Sequence, residues 1–114
     1  MPETTINLSE YRAMWLFVLF DLPVVTQKDR KQYALFRKHL LKQGFTMLQF
    51  SVYARYCASE DSNQILKKKV ISALPPNGQV RLLSVTDKQF GKMEVYYGTK
   101  RTPTEEPPMQ LSFF

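Results

Sequence analysis

Large apolar side chains fall in short blocks along the chain, and the spacing within each block predicts an element. The strongest block is Trp15-Leu16-Phe17-Val18-Leu19-Phe20, six apolar residues without a break that run into Asp21, Leu22 and Pro23. A run of that length stopped by Asp and Pro fits a strand buried on both faces, because a helix needs ten or more residues and a 3.6-residue repeat. Asp21 then falls where the strand leaves the core. Thr26 and Asp29 make a helix start, with the hydroxyl capping exposed amides and the carboxylate facing the positive end of the dipole. The helix is expected to run to Gln43 and to stop at Gly44. Tyr33, Phe36 and Leu40 form its core stripe. Lys28, Lys31, Lys38 and Lys42, with Leu35 among them, form its solvent side, and His39 also falls outward.

Phe45 to Cys57 is rich in aromatic and β-branched residues and is too long for one average strand, so it divides near Gln49 to Ser51 into two strands joined by a tight turn or bulge. By parity, Thr46, Leu48, Phe50, Val52, Ala54 and Tyr56 are the more apolar set. Ser59-Glu60-Asp61-Ser62 opens a second helix with Leu66, Val70 and Leu74 along one side, and Pro75-Pro76-Asn77-Gly78 ends it. Gln79 to Thr86 reads as a fourth strand, with Val80 and Leu82 on one face and Leu83 and Val85 on the other. Asp87 to Lys92 reads as a connection and Met93 to Tyr97 as a fifth strand. The expected organisation is a loose polar arm over 1–10, one folded domain over 11–98, and a Pro-rich linker with an apolar docking tail over 99–114. Leu111, Phe113 and Phe114 are the tail's candidate contact residues.

Strand, helix, strand, strand, helix, strand is the split β-α-β order of ferredoxin-like α+β folds, here with one additional C-terminal strand. Two helices cover only one face of such a sheet, yet the first strand is apolar on both sides. A second copy of the chain is the simplest cover, which predicts a homodimer with two sheets packed face to face.

Composition adds three constraints. The lone Cys57 cannot form an internal bridge, and no stretch resembles a secretion signal or a membrane span, so a reducing cytoplasm is the expected location and no membrane partner is expected. The formal charge is +6. The stretch from Thr26 to Cys57 carries Lys28, Arg30, Lys31, Arg37, Lys38, Lys42 and Arg55 against Asp29 alone, which accounts for all of that excess. A localised excess points to a polyanion, nucleic acid first, although a solvated basic face accounts for the same residues. An RNA-recognition module would need a glycine-bearing aromatic strand, and Val52-Tyr53-Ala54-Arg55-Tyr56 lacks the glycines.

On the residues alone Asp21 reads first as a turn former and second as a metal ligand at a strand end. The combination of Phe20-Asp21-Leu22-Pro23 after an apolar strand, a basic helix, and Gln49-Phe50-Ser51-Val52-Tyr53 resembles the Cas2 family, the small CRISPR-associated endonucleases of the spacer-acquisition machinery, over roughly Trp15 to Gly98. The arm and the tail are similar to members from type II systems. The resemblance implies a homodimer held between dimers of the Cas1 integrase subunit on duplex DNA, protospacer and repeat, with RNA as a further substrate. It implies that the last strands reach the partner's sheet and that the tail helps to hold the integrase. It carries the family's strand-end aspartate to Asp21, as metal ligand and catalytic group for a divalent cation, Mg2+, shared by two chains. One carboxylate per chain is thin for a phosphodiesterase, so the DNA-binding scaffold role ranks above cleavage. Lys28, Arg30, Lys31, Lys38 and Arg55 are the candidate phosphate contacts. A stand-alone toxin-like ribonuclease is the alternative from the enzyme class. Gln110-Leu111-Ser112-Phe113-Phe114 is also similar to peptides that dock on bacterial sliding clamps.

Overall fold

The computed structural model describes residues 12–108. The elements are β1 (Met14–Asp21), α1 (Gln27–Lys42), β2 (Thr46–Gln49), β3 (Val52–Cys57), α2 (Glu60–Ser72), β4 (Gln79–Thr86), α3 (Asp87–Gly91), β5 (Val95–Tyr97) and β6 (Lys100–Thr102). The first four strands form one sheet in the order β2-β3-β1-β4, with every neighbouring pair antiparallel. This is the ferredoxin-like α+β arrangement, in which each helix carries the chain over a strand that is already flanked.

The alternation of β1 assigns its two faces. Met14, Leu16, Val18 and Phe20 point towards the helices and meet Phe36 and Leu40 of α1, Leu66 and Val70 of α2, and Tyr53 and Cys57 of β3. Phe20 meets the ring of Phe36 edge-on at 5.3 Å between centroids. The other face carries Trp15 and Phe17, with Ala54, Leu48, Tyr56 and Val85 beside them. The first strand is therefore two-sided, as its unbroken apolar run requires.

Helix α1 begins as its sequence dictates. The Asp29 amide donates to Thr26 Oγ1 at 3.0 Å and the Thr26 amide donates to Asp29 Oδ2 at 3.2 Å, a reciprocal capping box. Past the C-cap Gln43, Gly44 takes φ +89°, the left-handed turn that favours glycine. Phe50 and Ser51 make the hairpin between β2 and β3, and a register shift between Met47 and Gln49 bulges β2 at the same point.

Four expectations change. Asp87 to Lys92 is not a plain connection: Thr86 and Gln89 cap α3 in a second reciprocal box, and Phe90 is buried. The fifth strand starts at Val95 and pairs with β6 in a separate hairpin, so the segment read as linker from residue 99 begins with a strand. In α2 the buried stripe is Asn63, Leu66 and Val70, while Leu74 lies past the helix and is exposed. β3 keeps apolar members on both faces, as its two parity sets predict: Tyr53 and Cys57 face the helices, and Ala54 and Tyr56 serve the second face. His39 is half-buried, and its Nε2 has no hydrogen-bond partner. The N-terminal arm and the tail residues Leu111, Phe113 and Phe114 lie outside the described residues. Among the described residues, no helix is long and apolar enough to cross a membrane.

Candidate nucleic-acid and metal site

Asp21 is the last residue of β1 and is exposed. Alternation puts it on the same face as Trp15, Phe17 and Leu19, away from the helices. Its cross-strand partner is Gln79, and Leu19 pairs with Arg81, so Arg81 is the diagonal neighbour of Asp21 on that face. The Arg81 Nε donates to Gln79 Oε1 at 3.1 Å, which holds the guanidinium beside the strand end. On the other flank the Phe20 amide donates to the Ser51 carbonyl at 3.1 Å and ties the β2–β3 turn to the exit of β1. Ser51 has φ +68°, unusual for a residue with a side chain. Its Oγ lies 3.4 Å from the Tyr33 hydroxyl, and the ring of Tyr33 stacks at 6.5 Å on Phe50, which is 81% exposed.

Gly78 closes the site from below. It has φ +96°, and a Cβ there would stand 2.8 Å from the Asp21 carbonyl oxygen and 2.7 Å from Leu22 Cδ2. Only a residue without a side chain fits so close to the strand end.

The basic residues do not form one cluster. Lys28 and Lys31 are exposed in the first two turns of α1, the end that follows the β1 exit. Arg30 is turned inward on its own loop, donating through Nη1 to the carbonyls of Val24 at 3.2 Å and Val25 at 2.9 Å. Lys38 is exposed further along the helix. Arg55 is half-buried beside Gly44, whose Cβ would lie 3.1 Å from Arg55 Nε. It pairs with Leu16, five residues back from Asp21 along β1 and about 17 Å away at a strand's rise. Lys28 and Lys31 thus stand at the start of α1, the element that follows the β1 exit, on the helix side of the sheet, and Arg55 lies at the far end of the sheet.

Sequence reasoning missed Gln79 and Arg81, which reach Asp21 only through the β1–β4 register, and Ser51 and Phe50, which border it through the turn. It also missed the β5–β6 hairpin, where exposed Tyr96 and Tyr97 pair across with Arg101 and Lys100. The Gln49-Phe50-Ser51-Val52-Tyr53 stretch was the available signal for the turn.

As a metal site one chain is incomplete: among the described residues there is no group of three or more His, Cys, Asp or Glu side chains that could hold an ion. Asp21 supplies one hard oxygen ligand, which suits Mg2+ only if another carboxylate joins it.

At the other end of the same face, the Trp15 indole N–H donates to Asp87 Oδ1 at 2.7 Å, and its ring stacks on Phe90 at 3.9 Å with 7° between planes. Burial pushes the Tyr56 hydroxyl pKa up, and the Asp87 carboxylate adds to that. Burial also pushes the Cys57 thiol up, with Arg55 opposing it.

Fold and site together define a small ferredoxin-like domain with a strand-end carboxylate on a half-open sheet face and a guanidinium of β4 beside it. The model of the family described as CRISPR associated protein Cas2 matches residues 14–93, and the chain belongs to that family. It is 46% identical over 108 residues to a CRISPR-associated endoribonuclease Cas2 of Flavobacterium psychrophilum, covering 95% of this chain and 94% of the relative. It is 50% identical over 101 residues to the protein of the same name from Parvibaculum lavamentivorans, covering 89% and 100%. A third relative so named, from Paracidovorax avenae, is 43% identical over 107 residues, covering 94% and 99%.

Proposed function

We propose that this chain acts as a homodimer in CRISPR spacer acquisition, binding duplex DNA and scaffolding the Cas1 integrase, with phosphodiester cleavage as a second activity of the same dimer. The observation that carries the reading is the position of Asp21 on the half-open apolar face. Packing that face on a second copy about a two-fold axis turns one carboxylate per chain into a pair. Phe17 and Leu19 are half-buried there and Leu83 is 52% exposed, apolar surface of the kind that a second sheet covers. The names of the relatives favour cleavage of RNA.

The Asp21 pair would hold a divalent cation, Mg2+ by the chemistry of its ligands. When bound, such an ion supplies a Lewis acid for a phosphate oxygen. Arg81 and Lys28 would neutralise the phosphates on either side, and exposed Phe50 would offer a ring to an unstacked base. The cations of α1 and of the β5–β6 hairpin would contact the backbone of a duplex without reading its bases, so binding would be sequence-tolerant and would fall linearly with salt on a log–log plot.

The test is a pair of assays on wild type and Asp21→Ala: integration of a short duplex in the presence of Cas1, and cleavage of single-stranded RNA in Mg2+. Integration is expected to persist while cleavage is lost. Cleavage retained by Asp21→Ala would remove Asp21 as its metal ligand, and integration unaffected by leaving this chain out would remove the scaffold role.

A further inference from the structure

We propose that Tyr97 and Lys100, opposite each other on the β5–β6 hairpin, form a site for one unpaired nucleotide of single-stranded RNA, its base stacked on the tyrosine ring and its phosphate held by the ammonium. The inference rests on the reading of this chain as a binder of RNA as well as duplex DNA. It goes beyond that reading, which uses the hairpin only for its cations.

The register of the hairpin pairs each tyrosine with a cation, Tyr96 with Arg101 and Tyr97 with Lys100. Residues directly opposite on a ribbon point to the same side, and successive residues to opposite sides, so each face carries one such pair. The two faces differ. Tyr96 borders the apolar groove with Phe17, Leu19 and Leu83, the surface that a second sheet covers in the proposed dimer. Its hydroxyl donates to Glu94 Oε1 at 2.9 Å, and a carboxylate at that point repels a phosphate. Tyr97 shares its face with Val95, Lys100 and Thr102, none of them acidic, and its ring is 75% exposed. Lys100 is exposed beside it.

A two-stranded ribbon has no second layer to bury its outer side chains, so the Tyr97 ring contributes little to the fold where it stands. An exposed ring beside an ammonium matches what a single strand offers, because every base has a π-face and every nucleotide brings a phosphate. A duplex stacks its bases on one another, so there the ring meets nothing and Lys100 alone contributes, through the backbone. The hairpin also springs from the face that carries Asp21: Val95 borders the same groove as Leu19, two residues before Asp21 on β1.

The experiment measures fluorescence anisotropy of a short unstructured RNA and of a blunt DNA duplex on wild type, Tyr97→Leu, Tyr97→Trp and Lys100→Gln, with a chelator present so that binding is read without cleavage. Tyr97→Leu is expected to weaken RNA binding at least about fivefold and to leave the duplex unchanged, while Tyr97→Trp keeps wild-type affinity for both. Lys100→Gln is expected to flatten the log–log salt slope for RNA by about 0.7, the value of one phosphate contact on a single strand. The proposal is overturned by a Tyr97→Leu chain that binds RNA as wild type does, or by a Tyr97→Trp chain as weak as Tyr97→Leu. Equal losses on RNA and duplex also overturn it, because Tyr97 then supports the hairpin and stacks on no base. A wild type that binds the duplex but not the RNA removes this site and leaves the scaffold role standing, whereas one that binds neither removes the nucleic-acid reading itself.

Discussion

At the scale of single residues, the Asp21 end depends on atoms that do no chemistry. Gly78 faces the Asp21 carbonyl oxygen, and its positive φ excludes a side chain on backbone grounds as well as on space. Gly78→Ala is therefore expected to cost more than about 1 kcal/mol, the bound for an alanine forced into this conformation. It should also displace Asp21, which denaturant melts together with the RNA-cleavage assay would read; a melt unchanged from wild type would refute the expectation. Cys57 and Tyr56 set an alkaline limit on stability. Both lose their protons more readily in the unfolded chain than in the fold, because burial raises both groups. Their contribution is fully present below the unfolded values and is lost as pH rises through them towards the folded values. Melting temperature should accordingly decline from about pH 8.5 upward, where an unperturbed thiol begins to ionise. Cys57→Ala should show a shallower decline, and equal slopes in a pH series of thermal melts would count against this account.

At the scale of elements, α3 is the piece that the second sheet face depends on. Five residues are too few for a helix to be stable alone, so its contribution is the burial of Phe90 on Trp15 and the carboxylate that Asp87 presents to the indole. Phe90→Ala is expected to destabilise the chain by about 3–5 kcal/mol, the range for emptying a buried aromatic site, with the Trp15 emission moving to longer wavelength. A loss below about 1 kcal/mol would mean that α3 is only a surface turn. This element also marks where sequence reading stopped. β1, the capping box of α1 and the stop at Gly44 were legible because residues within a few positions of one another determine them. The Thr86 and Gln89 box was equally local, but five residues show no period, and the partner of Asp87 lies 72 positions away. The same reason hid Arg81 and Gln79, which become neighbours of Asp21 only once the β4 register is fixed. The parity count holds through β2 and β3, with Leu48, Val52, Ala54 and Tyr56 on the second face, but parity alone does not say which face meets the helices. Arg55 was grouped with the α1 lysines by its charge, while its pairing with Leu16 places it at the other end.

At the scale of the whole molecule, the chain has one complete core and one half-complete face. The helix side is closed by Phe36, Leu40, Leu66 and Val70, all essentially buried. On the opposite side α3 covers the Trp15 end only, and Phe17, Leu19, Leu48, Val52 and Leu83 line a groove of about 340 Å3 with Val95 and Tyr96 at the start of the terminal hairpin. In a face-to-face homodimer this groove is filled by the second sheet, and each Leu83 contributes twice because a two-fold interface uses the same patch on both chains. Leu83→Glu would then bring two carboxylates into a desolvated interface without partners, a penalty of several kcal/mol per ion that outweighs what one leucine contributes. In the single chain the same substitution adds a charge at a half-exposed position and should cost within about 0.5 kcal/mol. Light scattering at micromolar concentration is expected to give twice the chain mass for wild type and the chain mass for Leu83→Glu, with unchanged far-ultraviolet circular dichroism. The monomeric variant should also lose Mg2+-dependent cleavage although its Asp21 is intact, because the carboxylate pair exists only in the dimer. A wild type that is monomeric, or a monomeric Leu83→Glu that still cleaves, would separate Asp21 from the dimer and leave the open face without this role.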